Sequence, residues 1–108
     1  MKAIESKMRK HIAEWKPFGG GNTSFVPTGK TTWGLFLHGN QIALFEQGNT
    51  VPKVVTLHGW NTITTRSRLN ALDGVCVTQR KWIPYLNGKE INENDWFWTE
   101  TAEKFFND

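Results

Sequence analysis

Turn chemistry cuts this chain into short pieces. Gly19-Gly20-Gly21, His38-Gly39-Asn40, Gly48-Asn49, Gly74 and Asn87-Gly88 punctuate runs of apolar residues. Gly and Asn tolerate positive φ, and such residues between alternating apolar segments signal hairpins. Short strands and short helices are what fit between these breaks. The 108 residues suit a single domain, read as an N-terminal helix over 1–18, a body over 20–91 and an acidic, aromatic C-terminal segment over 92–108.

Within that frame, Ile4, Met8, Ile12 and Trp15 recur at helical spacing and predict an amphipathic helix over 2–16, ended by Pro17 and the glycine run. A short strand is expected at 23–26. A hairpin follows at 31–37 and 41–46, with Trp33, Leu35 and Leu37 on one face and Ile42 and Leu44 answering them. Lys53–His58 reads as a third strand. Thr62, Thr64 or Thr65 can cap a short central helix that buries Leu69 and Leu72 and ends near Gly74. Val75–Gln79 and Trp82–Leu86 form a second hairpin, and Asn87-Gly88 leads to a return strand at Lys89–Ile91. Pro84 argues for an edge strand. Residues 99–107 are expected as a short terminal helix. The fold class is α+β. Leu-His-Gly occurs twice, at 37–39 and 57–59, and reads as recurring turn chemistry rather than a true repeat.

Charge is unevenly placed. Residues 1–89 carry twelve Lys or Arg against four acids, whereas 90–108 carry one Lys against six acids. A basic body suits an anionic partner, unless the acidic end lies on it and neutralises it. The single cysteine, Cys76, excludes an intrachain disulfide, and its neighbours Val75 and Val77 suggest a buried strand position. No segment resembles a signal peptide or a membrane span, so the expected setting is intracellular, with no membrane partner.

The densest chemistry lies at the start of the central helix. Arg66 and Arg68, the hydroxyls of Thr64, Thr65 and Ser67, and Trp60 cluster there, and Arg80, Lys81 and Trp82 at the next hairpin turn could extend the patch. Free amides at a helix N-terminus, adjacent cations and hydroxyls are what phosphate contact requires, and tryptophans can stack on bases. The same threonines serve equally as a structural cap. A second cluster, Trp96, Phe97, Trp98, Phe105 and Phe106 among acids, suits a protein interface, a homodimer contact or a clasp on the domain's own core. His38, His58 and Cys76 lack the paired spacing of a zinc motif, so no metal and no cofactor are expected. No nucleophile elbow, phosphate-cradling glycine loop or converging set of acids marks an enzyme.

Gly21-Asn22-Thr23, Leu37-His38-Gly39-Asn40-Gln41-Ile42-Ala43, Gly59-Trp60-Asn61-Thr62 and Thr64-Thr65-Arg66-Ser67-Arg68-Leu69-Asn70-Ala71-Leu72 occur in that order. This pattern resembles a family of small tailed-bacteriophage proteins, over about residues 20–86 and extending through Val77–Trp82. The last twenty residues depart from it. The resemblance implies a phage origin, the host cytoplasm as setting and a small α+β fold. It carries over no functional residues. The expected function is a non-catalytic binding protein that contacts nucleic acid. The alternative is an anti-defence or host-takeover inhibitor that binds a host protein or sequesters a small nucleotide signal.

Overall fold

A computed structural model describes residues 2–105. Helix α1 (Ala3–Glu14) leads into strands β1 (Phe18–Gly20), β2 (Thr23–Pro27), β3 (Thr32–Leu37), β4 (Asn40–Glu46) and β5 (Val54–Val55). Helix α2 (Ile63–Asn70) follows, then β6 (Val77–Arg80), β7 (Ile83–Leu86), β8 (Lys89–Glu90) and β9 (Phe97–Trp98). Six strands form one antiparallel sheet in the order β1-β2-β3-β4-β5-β9, and β6-β7-β8 form a second. The architecture is α+β, as the turn pattern and apolar periodicity predict.

The amphipathic stripe of α1 settles on the six-stranded sheet. Met8 and Ile12 are buried, and Ile4 and Trp15 pack against the core. The Trp15 ring lies about 6 Å from those of Phe25, Trp33 and Phe45 (6.1, 6.0 and 6.4 Å). Phe25 stacks on Trp33 at 4.8 Å and meets Phe45 edge-on at 5.5 Å. Offset and edge-to-face aromatic contacts stabilise beyond the area they bury. α1 stops where Trp15 takes the left-handed conformation, φ 52°, just before Pro17.

Several expectations need correcting. The glycine run does more than end the helix, since Phe18–Gly20 pair with β2 as an edge strand. Glycines carry no pattern of their own, and the pairing comes from the neighbour. On β4 it is Ala43 and Phe45 that oppose Leu35 and Trp33, while Leu44 pairs with Gly34 on the other face. A β-bulge between Leu35 and Phe36 shifts the register and leaves Ile42 as the extra, buried residue. The strand at 53–58 shrinks to Val54–Val55. β7 is central rather than an edge, despite Pro84. The Pro84 carbonyl accepts from the Ile91 amide at 3.0 Å, just beyond the end of β8, so no ladder donor is missed there. Cys76 is exposed between buried Val75 and Val77, as alternation along an extended chain dictates.

The C-terminal segment is not helical over its described part. β9 pairs with β5, Val54 opposite Trp98 and Val55 opposite Phe97. The chain then folds back through a left-handed Ala102, φ 59°, and Lys104 bridges to Phe97. An open sheet edge at β5 offers these residues more hydrogen bonds than a short, isolated helix could. Phe97 is buried, so this segment closes the domain's own core. Trp98 packs edge-on against Phe105 at 5.0 Å and under the Lys53 ammonium at 5.6 Å. Phe106, and the end of the expected helix, lie outside the described residues.

One polar node joins the layers. Glu5 on α1 and Arg68 on α2 are 3% and 5% exposed, and their Oε2 and Nη1 lie 2.7 Å apart. Ser67 Oγ donates to the same Oε2 at 2.5 Å, and Arg68 Nε donates to Thr23 Oγ1 at 2.9 Å. Arg68 also reaches Asn22 Oδ1 at 3.4 Å, while Glu5 Oε1 accepts from the Lys2 amide at 3.4 Å. Burial on its own raises the Glu5 carboxyl. Hydrogen bonds from Ser67 and Arg68 outweigh it and hold the carboxyl below its ordinary value.

Two outcomes follow from the node. Arg68→Met leaves a buried carboxylate without its cation and is expected to destabilise by about 3–5 kcal/mol in chemical denaturation. A carboxyl with a lowered folded pKa contributes stability above its unfolded pKa and loses it as pH falls through the folded value. The folded protein is therefore expected to weaken as pH drops below about 4.3. Glu5→Gln is expected to remove that share of the acid sensitivity in denaturation curves measured between neutral and acidic pH.

Candidate functional site

α2 begins at an N-cap, Thr62, whose Oγ1 accepts from the Thr65 amide at 3.1 Å. The helix then turns its residues in two directions. Thr65 is buried with its hydroxyl 2.9 Å from that of Thr62, Ser67 is engaged by Glu5, and Arg68 is enclosed in the node. Thr65 and Arg68 face the core, and the half-buried Ser67 gives its hydroxyl hydrogen to Glu5, so these three are engaged within the protein. Arg66 and Arg68 lie two residues apart, and a helical turn sends such a pair to different faces.

Arg66 goes the other way, to the second sheet. Its Nη1 donates to Asn61 O at 3.2 Å, Asn61 Oδ1 at 2.5 Å and Gln79 Oε1 at 3.2 Å. Asn61 Nδ2 in turn donates to Gln79 Oε1 at 3.1 Å and contacts Trp82 O at 3.4 Å. This clamp holds the β6–β7 hairpin against the start of α2. It leaves Arg66 Nε and Nη2 without a hydrogen bond among the described residues.

Four large apolar side chains are exposed around the start of α2 and the hairpin. Trp60 is 60% accessible, Ile63 75%, Trp82 85% and Ile83 40%. These are the large apolar side chains most open to water among the described residues; Ile63 borders a surface groove with Arg66, and Ile83 pairs with Arg80 next to the Lys81-Trp82 tip. Arg80 stacks over Tyr85 at 5.9 Å, and neither it nor Lys81 makes an ion pair among the described residues. Arg66 meets the hairpin on the inward face that carries Gln79, whereas Arg80 turns to the opposite, outer face with Ile83 and Tyr85, and Lys81 and Trp82 form the tip between the two faces. Asn61 and Gln79, which hold the hairpin to the start of α2, and the exposed Ile63 and Ile83 carry no motif by which sequence could single them out.

The tip of that hairpin is strained. Lys81 and Trp82 form the two-residue loop between Arg80 and Ile83, with φ 48° and 70°. A type I′ turn requires positive φ at both centres and favours Asn-Gly. The chain uses Asn-Gly at 87–88, in the next turn of the same sheet. For residues with a Cβ the left-handed conformation costs about 1–2 kcal/mol each. Strain of this kind concentrates at functional surfaces.

Beneath Trp60 lies a cavity of about 310 Å³. Leu37, Ile42 and Leu57 form its apolar floor, and Thr62 and Thr64 at the start of α2 border it. His38 and His58 stand on its lining as well, so the two histidines do meet around one space. Cys76 does not join them. Among the described residues, no group of three or more His, Cys, Asp or Glu could hold a metal ion, and no helix is long and apolar enough to cross a membrane. The acids of the C-terminal segment are placed locally, with Asp95 3.3 Å from Lys104 of the same segment.

No curated protein and no solved structure matches the chain. A family model described as Kyanoviridae Gp96 protein matches residues 1–103, which takes in α1, both sheets and the C-terminal strand that closes the core. The chain therefore belongs to the Kyanoviridae Gp96 family of phage proteins.

Proposed function

We propose that this phage protein is a non-catalytic binding protein that contacts single-stranded nucleic acid around the β6–β7 hairpin and the adjoining start of α2, with Trp82, Trp60, Arg66, Lys81 and Arg80. The observation that carries the reading is Trp82. It is 85% exposed on a strained two-residue turn, where an Asn-Gly pair would relax the backbone and expose no apolar ring. Two accessible indoles supply stacking platforms for bases, and Arg66 on the α2 side, Lys81 at the tip and Arg80 on the outer face of the hairpin supply cations for the phosphates. Bases are open to stacking in a single strand and enclosed in a duplex, so the single strand fits this face better.

A second reading rests on Ile63 and Ile83. Aliphatic side chains add little to base stacking but widen an apolar patch, and Trp and Arg amid such a patch are typical anchors of a protein interface. A host protein is the partner in that case.

Anisotropy with labelled oligonucleotides separates the two. Neutralising three phosphates of a single strand predicts a slope of log affinity against log salt of about −2, and Lys81→Ala is expected to flatten it by about 0.7. Trp82→Ala is expected to weaken binding by about tenfold, within the range of one lost stacking contact. No binding even at low salt rejects the nucleic-acid reading. Capture of a host protein that is lost in both Trp82→Ala and Ile83→Ser then establishes the second.

The turn gives a test that involves no ligand. Replacing Lys81-Trp82 by Asn-Gly relieves two left-handed residues and is expected to raise stability by about 1 kcal/mol, part of the relief being offset by the flexibility of glycine. A measurable loss of stability in that double variant shows that Trp82 is held by packing and is not displayed.

A further inference from the structure

The two Leu-His-Gly triplets build the same turn at two places around one cavity. In Leu37-His38-Gly39-Asn40 the central φ values are 52° and 80°, and in Leu57-His58-Gly59-Trp60 they are 52° and 76°. The second turn is closed by the Trp60 amide donating to the Leu57 carbonyl at 2.9 Å. In each, the leucine is buried on the cavity floor and the histidine lines the cavity. A third turn of this kind, Asn87-Gly88, lies away from the cavity and has Asn at its first centre, the residue such turns favour. Histidine replaces it at both turns that border the cavity. Neither imidazole has a hydrogen-bond partner among the described residues. The β-bulge on β4 adds Ile42 to the floor, which regular pairing would have turned to the other face.

We propose that this cavity is a binding site for one flat heteroaromatic ring of nucleobase size, which shares Trp60 with the exposed surface but does not require Trp82. Its volume of about 310 Å³ lies at the lower end of small-molecule sites, which suits a single base or nucleoside and not a passing polymer. Leu57 and Ile42 offer apolar surface to the ring faces, and the exposed Trp60 adds an aromatic side chain to the lining. The imidazoles of His38 and His58, the Asn40 carboxamide and the Thr64 hydroxyl provide donors and acceptors for the ring edge. Among the described residues no carboxylate lines the cavity, and the first amides of α2, at Ile63 and Thr64, have no acceptor within the helix. The site therefore favours an electron-rich edge and disfavours a cation.

The test uses the intact protein with adenosine and guanosine as probes, and benzamidine as a flat aromatic cation. Binding is followed by calorimetry and by NMR shifts of the Leu37 and Leu57 methyls and the two imidazoles. A nucleoside is expected to bind saturably, shift all four groups and exceed benzamidine by at least about tenfold, the equivalent of one net hydrogen bond to the edge. His38→Asn with His58→Asn keeps the turn geometry and is expected to weaken the nucleoside about tenfold with no loss of melting temperature. Thr64→Trp, at the half-buried rim, is expected to block the site. Trp82→Ala is expected to leave nucleoside affinity unchanged while weakening any oligonucleotide, which keeps this site distinct from the exposed face. Absence of shifts with either nucleoside at millimolar concentration overturns the proposal. So does equal binding of benzamidine, or full affinity in the double histidine variant.

Discussion

The fold turns on a carboxylate and a guanidinium that water does not reach. Glu5 and Arg68 stand 63 residues apart in sequence and 2.7 Å apart in space, and Ser67, Thr23, Asn22 and the Lys2 amide complete their hydrogen bonds. Removing two charges from water costs several kcal/mol apiece, and mutual attraction offsets this only when geometry is good and the remaining donors and acceptors are met. The node meets that condition. It contributes little net energy beyond what a packed apolar pair would give, but any arrangement that separates α1 from α2 strands a buried charge. The two helices and the start of β2 are fixed relative to one another by that penalty.

Amide side chains extend the same logic outward. Asn70 bonds both the Val77 amide and its carbonyl, at 2.5 and 2.9 Å, and so substitutes for a strand neighbour where α2 hands the chain to β6. Asn87 reaches the Cys76 amide and the carbonyls of Gly74 and Thr99, joining the second sheet to the C-terminal segment. Asn61 and Gln79, with Arg66, seat the β6–β7 hairpin against α2. The small sheet is thereby anchored through polar contacts, and its tip is presented on a rigid base. A strained, exposed Trp82 is affordable on such a support because the cost falls on two residues of a well-held hairpin.

Much of the architecture was legible in sequence. The α1 stripe, the His38-Gly39 and Asn87-Gly88 turns and the Thr62 cap are local features, governed by backbone sterics and by periodicity within a few residues. Ile42 was correctly read as inward, but the bulge that sets Ala43 and Phe45 inward beside it and turns Leu44 away was not legible, because register depends on how two strands pair and not on either alone. Pro84 in a central strand escaped for a related reason. A proline is harmless when its ring nitrogen faces past the end of a short neighbour, and the neighbour's length is a tertiary matter. The C-terminal segment took the free edge of β5 and became β9, an opportunity its own residues do not record.

The candidate site divides the same way. Sequence alone determined that the basic and aromatic residues around α2 and the following turn were the unusual chemistry of this chain, since residue type and near-neighbour spacing suffice for that. Tertiary structure decided which of them meet water. It consigned Arg68 and Thr65 to the core, tied the half-buried Ser67 to Glu5 and Arg66 to Gln79, and left Trp60 and Trp82 outside, because the direction of a side chain is set by what packs against it. It also brought two distant Leu-His-Gly turns to one cavity. The turn geometry of each was written in its own residues, and their meeting depended on the sheet that carries them.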